Sequence, residues 1–364
     1  MKILITGGHI TPALAVADKL LTKKDVEVVF VGRKYTSSED DISLEYKELT
    51  KRSVRFIHLQ TGRLTRVASV KSFKSVIKII PGFYKSLLIL KKEKPDVVLS
   101  FGGYIALPIA VAASFLKIPV YTHEQTAIPG LTNKLIAKFC KKIFISFAES
   151  ARYFECKKTI LTGNPVRESV KAELHKPFEI PTGKPVLYVT GGSLGSHSIN
   201  VHIEHILEKL LDNYVVIHQT GNVKEYQDFE RLQKKRSGLT EELRKNYFVM
   251  EHVFEEDLGY ILKRADLVIS RSGANTFFEL IALEKPAILI PLPWSANGEQ
   301  QRHAELFAEN GVGKVFDQSD TSETLESLIA MMMEDIEVYK RNFHKLKSLY
   351  KTNAADQIVS EILV

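Results

Sequence analysis

A chain of 364 residues is longer than one hydrophobic core usually serves, so two domains are expected. Its 45% hydrophobic and 26% charged residues are an ordinary globular balance, and no apolar run reaches the roughly 20 residues that span a bilayer, which excludes an integral membrane protein. The net charge is +7, and two cysteines, Cys140 and Cys156, exclude a disulfide scaffold and fit a reducing cytoplasm.

The first strand, Ile3–Thr6, runs into the turn Thr6-Gly7-Gly8-His9. A helix follows over Pro12–Leu21, with Pro12 suited to its first turn. His9 therefore precedes a helix start, where the positive helix end favours the neutral ring a general base needs. The alternative is a loop histidine that fills a hydrogen-bond gap. Strands Val28–Val31 and Arg55–Leu59 come next. Between Leu49 and Lys92 there is no Asp or Glu and there are eleven Lys or Arg. Interleaved with them, Val70, Phe73, Ile77, Ile80, Tyr84, Leu87 and Leu88 fall on one helical face. Such a segment is either a core-facing helix with a basic rim or a surface for anionic lipid. The sequence holds no nucleic-acid motif, so a nucleic-acid partner is not expected. Strands Val97–Ser100, Val120–Thr122 and Ile143–Ser146 complete the first series.

A second series restarts after the turn-formers Gly163-Asn164-Pro165 and Lys176–Pro185. Its strands are Val186–Thr190, Val215–His218, Tyr247–Met250, Leu267–Ser270, Ala287–Pro291 and Val315–Phe316. Helical patterns lie at Ile199–Leu211, Asp257–Ala265 and Gln300–Asn310. Most strands are continuous apolar runs, as in parallel strands covered on both faces. The fold expected is α/β, two Rossmann-like doubly wound domains whose strand ends face a crevice. The division expected is 1–164 and 165–341, with the C-terminal helix, about 342–364, returning to the first domain. Gly191-Gly192-Ser193-Leu194-Gly195 joins a strand to a helix and suits a pyrophosphate. Its spacing is not the dinucleotide GxGxxG. Glu279 is expected in the first turn of a helix, either stabilising that end or holding both hydroxyls of a ribose. Gln300 and Gln301 suit the hydroxyls of a sugar.

The segments PDVVLSFGGY, HEQTAIPGLTNK, GNPVR, VTGGSLGS, HQTG, ADLVISRSGANTFFE and GEQQ, in this order along nearly the whole chain, resemble the MurG-type glycosyltransferases of family 28. The resemblance implies a GT-B fold and inverting transfer of N-acetylglucosamine from UDP-GlcNAc to the C4 hydroxyl of MurNAc in lipid I, giving lipid II for peptidoglycan. It implies His9 as catalytic base and, for the donor, Thr6, Gly7, Gly8, Thr126, Arg167, Ser193, Phe254, Ala274, Asn275, Thr276, Glu279, Gln300 and Gln301. His123, Glu124 and Asn133 fall on the acceptor side, and the first domain becomes the acceptor and membrane-associated one, the second the UDP-GlcNAc domain. Lys71, Phe73, Lys74, Ile77, Lys78 and Ile80 become membrane-facing, at the cytoplasmic face of the cell membrane, with cell-wall synthesis proteins as further partners. No cofactor and no metal are expected. The first loop lacks the family's extra glycines, and Thr126, Leu194 and Ala304 stand where Asn, Gln and Asn are usual, which touches selectivity. A UDP-sugar transferase acting on diacylglycerol, or a UDP-sugar-binding protein without turnover, stays open as the alternative.

Overall fold

The computed structural model describes residues 1–35, 42–61, 79–192 and 194–364. The chain divides into two compact units, Met1–Arg167 with Lys351–Val364, and Glu168–Tyr350.

Unit 1 is built on seven parallel strands: β1 Lys2–Gly7, β2 Glu27–Gly32, β3 Arg55–His58, β4 Val97–Phe101, β5 Val120–Glu124, β6 Lys142–Ile145 and β7 Thr159–Leu161. Their order across the sheet is β3-β2-β1-β4-β5-β6-β7. Residues along β1 alternate between two cores. Ile3 and Ile5 join Leu14 and Leu20 on one face, while Leu4 joins Val98, Ile109 and Ile143 on the other. That is why Ile3, Leu4 and Ile5 form a continuous apolar run. β7 was not legible from the sequence, because three residues are too few to establish a periodicity.

Unit 2 repeats the plan with β8 Val186–Thr190, β9 Val215–Gln219, β10 Tyr247–Met250, β11 Leu267–Ser270, β12 Ala287–Leu289 and β13 Gly313–Val315. The order is β10-β9-β8-β11-β12-β13, and each pairing is parallel. In both sheets the chain reverses its direction of winding beside the first strand, between β1 and β4 and between β8 and β11. Loops leaving the carboxyl ends of strands at such a switch point are where doubly wound folds bind ligands.

Two sequence expectations need correction here. The return to unit 1 begins at Lys351 rather than near 342. Phe343 and Leu346 stay buried in unit 2, with the Phe343 ring 6.1 Å from that of Phe307 and Asn342 donating to the Gly311 carbonyl. The apolar face around residues 70–88 also divides. In the helix Ile79–Glu93, Phe83 and Leu87 pack toward the core, whereas Tyr84 and Leu88 are 61% and 50% exposed. Lys71, Phe73, Lys74, Ile77 and Lys78 lie outside the described residues, and of Ile80 only the helical backbone is described.

The last helix, Ala354–Ile362, sets Ile358, Val359 and Ile362 into the core that Ile3, Ile5 and Leu14 line. Ile358→Ala is expected to destabilise unit 1 by about 2–5 kcal/mol, the range for emptying a buried aliphatic site. Urea unfolding of the full chain, followed on a probe in unit 1, measures it.

Candidate active site

The ligand edge of unit 1 is made by two turns that leave neighbouring strands. β1 ends in Gly7 and is followed by Gly8 and His9; after β4 come Gly102, Gly103 and Tyr104. The Gly8 N–H donates to the Gly102 carbonyl at 2.9 Å. A side chain cannot enter this contact: a Cβ on Gly103 would lie 2.8 Å from the Gly8 nitrogen, and one on Gly7 would lie 2.8 Å from Phe101. The two backbones therefore meet directly, and His9 is held as the N-cap of the helix Ile10–Leu21. The residue is half-buried, and loss of solvation around its ring pushes its pKa down to about 4, toward the neutral form. Gln125 stands beside it, with Nε2 2.7 Å from His9 Nδ1. Thr6, three residues before His9 on β1, is fully buried, and its hydroxyl has no hydrogen-bond partner among the described residues.

Beneath this edge lies a closed polar layer. Glu124 accepts from the Thr126 amide and hydroxyl through Oε1, and from Asn133 Nδ2 through Oε2 at 2.8 Å. Burial raises the Glu124 pKa against those donors. His123, pushed down to about 4 by burial, lies 3.2 Å from both the Gly163 carbonyl and the Ser146 hydroxyl. The side chains of His123, Glu124, Asn133 and Thr126 are thus engaged with one another and with the backbone. They brace the edge from below, and the Thr126 hydroxyl is committed to Glu124 and the Ile128 carbonyl.

Unit 2 presents a second edge of the same kind. The loop Gly191–Ser196 leads from β8 into the helix His197–Asn213, and Gly273 caps the helix Ala274–Ala282 after β11. Gln219 orders the first loop: it accepts from Tyr188 and Thr190 and donates to the Gly192 carbonyl. A Cβ at Gly195 or Gly221 would strike the other turn, so these two turns also need glycine to meet. Ser193 lies outside the described residues. Ala274, Asn275 and Thr276 form the first turn of their helix, where backbone N–H groups lack intrahelical partners. Asn275 Oδ1 is buried without a partner among the described residues. Glu279 is the sixth residue of that helix, in its second turn, which corrects the sequence expectation. From there it is too far along to serve as the usual N-terminal carboxylate, and it is 9% exposed.

Gln300 and Gln301 open the helix Glu299–Glu309. Gln300 accepts from the Leu292 amide, and Gln301 donates to Glu305. Phe254, 47% exposed, caps the helix Glu255–Arg264 after β10. Arg167 is the last residue of the first stretch of unit 1 and is half-buried. Of the two substituted positions in unit 2, Leu194 is 70% exposed, while Ala304 is fully buried and touches no solvent.

Sequence reasoning missed two residues. Gln125 is one; its place within HEQT, two residues beyond His123, was the only signal. The other is Arg271. Its guanidinium donates to the Ser196 and Ser198 hydroxyls, to Gln318 Oε1 and to the Ile290 and Pro291 carbonyls. Burial lowers its pKa to about 10, and it stays cationic. From its own loop after β11 it joins those after β8, β12 and β13 and adds positive charge at the start of the helix His197–Asn213.

Two family models match the chain. The model described as glycosyltransferase family 28 N-terminal domain covers residues 6–145, and that for the family 28 C-terminal domain covers residues 186–358. A Clostridium novyi protein named UDP-N-acetylglucosamine--N-acetylmuramyl-(pentapeptide) pyrophosphoryl-undecaprenol N-acetylglucosamine transferase is 33% identical over 99% of this chain and 98% of its own length. A Clostridium perfringens protein of the same name is 35% identical over 100% and 96%. Among solved structures, MurG of Acinetobacter baumannii aligns at a TM-score of 0.69 and 24% identity over 100% of this chain and 99% of its own. The UDP-GlcNAc 2-epimerase of Neisseria meningitidis, solved with UDP-GlcNAc, aligns at 0.68 and 16% identity over 100% of both chains. At these identities the structural likeness is one of fold.

Arg271→Ala would strand acceptors on three loops. An expected loss of about 1–3 kcal/mol follows from leaving such groups unpaired. Arg271→Lys should recover less than half of it, since one ammonium cannot fork to the same set. Urea unfolding of the two variants beside the parent chain measures both.

Proposed function

The chain belongs to glycosyltransferase family 28, and on that premise we propose that it is an inverting transferase moving N-acetylglucosamine from UDP-GlcNAc to the C4 hydroxyl of MurNAc in lipid I. The observation that carries this reading is the match to transferases named for this reaction along 99–100% of the chain, with both halves of the family in order.

Unit 2 is assigned the donor. The loop Gly191–Ser196 and the first turn of Ala274–Ala282 offer backbone N–H groups and helix N-termini to a diphosphate. Arg167, Ser193, Phe254, Asn275, Thr276, Gln300 and Gln301 are assigned to the rest of the nucleotide sugar. Glu279 is assigned to the ribose hydroxyls. As the UDP oxygen departs, the growing negative charge is met by these fixed dipoles, which need no reorganisation at that moment. Unit 1 is assigned the acceptor, over the Gly7–His9 and Gly102–Tyr104 turns. Thr6, Gly7, Gly8 and Thr126 are assigned to the donor, and His123, Glu124 and Asn133 to the acceptor side. The acceptor oxygen attacks the anomeric carbon, the carbon–phosphate oxygen bond breaks with its electron pair leaving on UDP, and His9 takes the hydroxyl proton. The neutral ring is the form ready to do so. Nearby diphosphate charge raises its basicity once substrates are bound.

A lipid-linked acceptor places the enzyme at a membrane surface, and none of the described helices is long and apolar enough to cross one. Tyr84 and Leu88 on Ile79–Glu93, with Phe115 at the end of the helix Ala106–Phe115, are exposed apolar residues on helices that pack together. Lys85 and Lys117 stand among them on the exposed surface. This surface, together with Lys71, Phe73, Lys74, Ile77, Lys78 and Ile80, is assigned to the anionic cytoplasmic face of the cell membrane. Cell-wall synthesis proteins are further partners.

The test is labelled UDP-GlcNAc offered with a lipid I analogue and, separately, with diacylglycerol. Product with the first acceptor alone is expected; product with diacylglycerol alone overturns the assignment. In the same assay Glu279→Ala should raise the apparent donor constant, losing hydrogen bonds worth roughly 1.5–3 kcal/mol each. His9→Ala should lower turnover by about 10²–10⁴-fold with UDP binding retained.

Vesicle co-sedimentation tests the membrane surface. Each basic residue near an anionic bilayer contributes about 1 kcal/mol, decaying within a Debye length. Lys71→Glu, Lys74→Glu and Lys78→Glu together should abolish binding to anionic vesicles, and salt should weaken binding of the parent chain. Binding that ignores both overturns the surface.

A further inference from the structure

We infer that Gln125 is the positioning residue for His9: its side-chain amide selects the ring tautomer and accepts the hydrogen bond from Nδ1–H when the ring accepts the proton of the acceptor hydroxyl. The inference rests on the reading of His9 as base, but the geometry behind it is independent of any substrate.

The two side chains reach each other from different strands. His9 follows β1, and Gln125 follows the last residue of β5, with Nε2 2.7 Å from His9 Nδ1. Gln125 is 5% exposed, so its side of this contact is largely shielded from solvent. Side chains alternate along an extended strand. Accordingly, His123 turns to Gly163 and Ser146, Glu124 turns to Thr126 and Asn133, and Gln125 falls back to the His123 side. The titratable group coupled to His9 from β5 is His123, itself held neutral by burial. The Glu124 carboxyl is occupied by Thr126 and Asn133. The partner of His9 Nδ1 is therefore an uncharged amide.

An amide can serve a histidine in two ways. With Nε2 toward the ring it donates to Nδ1. The ring proton then sits on the far nitrogen, and Gln125 Oε1 is left buried without a hydrogen-bond partner, as found among the described residues. A half-turn about the terminal bond brings Oε1 to the ring instead. Nδ1–H then donates to Oε1, and the far nitrogen, Nε2 of His9, carries a free lone pair. Only the second arrangement leaves a base. It is also the only one that suits the product of proton transfer. The imidazolium carries N–H on both nitrogens, so Nδ1–H needs an acceptor, and Oε1 is the atom in reach. In the step itself the acceptor O–H breaks, its proton passes to His9 Nε2, the O–C1 bond forms, and UDP leaves with the C1–O electron pair. Gln125 neither gains nor loses a proton. A carboxylate at this position would also accept from Nδ1–H, but its charge would hold the ring protonated to higher pH. The amide orients the ring and leaves it neutral.

The experiment uses the full chain with ¹⁵N-labelled histidine, the His9 signals identified by their loss in His9→Gln. Ring ¹⁵N shifts report which nitrogen carries the proton, without substrate. Nδ1–H is expected in the parent chain, a mixed population in Gln125→Leu, and Nδ1–H again in Gln125→Glu. In the transfer assay Gln125→Leu should lower kcat by about 10²-fold, the lower end of what general-base assistance supplies, with the UDP-GlcNAc KM within two-fold or so. Gln125→Glu should move the acid limb of the kcat/KM profile to higher pH, a readout that remains if the leucine variant does not fold. An unaltered tautomer ratio in Gln125→Leu, or an unmoved acid limb in Gln125→Glu, overturns the inference. If the tautomer shifts as expected while both Gln125→Leu and His9→Ala retain full kcat, the positioning stands and the assignment of His9 as base falls.

Discussion

The constraint on which unit 1 depends is a backbone-to-backbone approach at the winding reversal of its sheet. The Gly8 N–H meets the Gly102 carbonyl, and Gly103 leaves no room for any side chain between the turns. This approach sets the start of Ile10–Leu21 and therefore the direction in which His9 projects. A substitution at either turn would push the two strand ends apart and move the histidine with them. The strands bring the loops to one edge of the sheet; the glycines decide how closely those loops can approach.

A polar layer lies directly beneath. His123, Glu124, Thr126 and Asn133 are all less than a tenth exposed, and each side chain finds a partner. Burying such groups costs free energy unless their hydrogen bonds are met, and among the described residues only Asn133 Oδ1 of this layer is left without a partner, so the layer has few alternative arrangements. The same strand, β5, leads on to Gln125, which meets His9. Unit 2 reaches a similar end differently. Arg271 is cationic and half-buried, and it spans three loops with five donated hydrogen bonds to neutral oxygens. The charge is not neutralised by those partners and remains to act on an anion near the helix starts.

The strands and their parallel sense were legible because buried parallel strands are written as continuous apolar runs, as in Val186–Thr190 and Leu267–Ser270. The glycine turns were legible because glycine clusters between a strand and a helix have few other uses. Four features were not. The three residues of β7 carry too little pattern. The end of unit 2 at Tyr350 depends on Phe343 meeting Phe307, a tertiary contact with no local signature. Within HEQT the sequence gives no indication of which side chain turns to which neighbour; period-two alternation along β5 sends Glu124 inward to Asn133 and Gln125 to His9, and that depends on where the strand ends. Glu279 was placed one turn early because nothing local marks Ala274 as the first helical residue: its cap, Gly273, makes no side-chain hydrogen bond.

The two units distribute charge in opposite ways, and the proposed reaction needs both. Unit 2 gathers positive potential from a guanidinium and two helix N-termini at one sheet edge, where a leaving diphosphate develops charge. Unit 1 keeps its edge neutral: burial disfavours the cationic forms of His9 and His123, and the Glu124 carboxyl is pushed toward its protonated form. A permanently charged partner beside His9 would make the ring a stronger base at the cost of filling it with a proton before substrate arrives. An amide avoids that exchange. In the proposed reaction the ring stays neutral until anionic substrates bind and raise its basicity, so proton affinity would appear only when there is a hydroxyl to deprotonate.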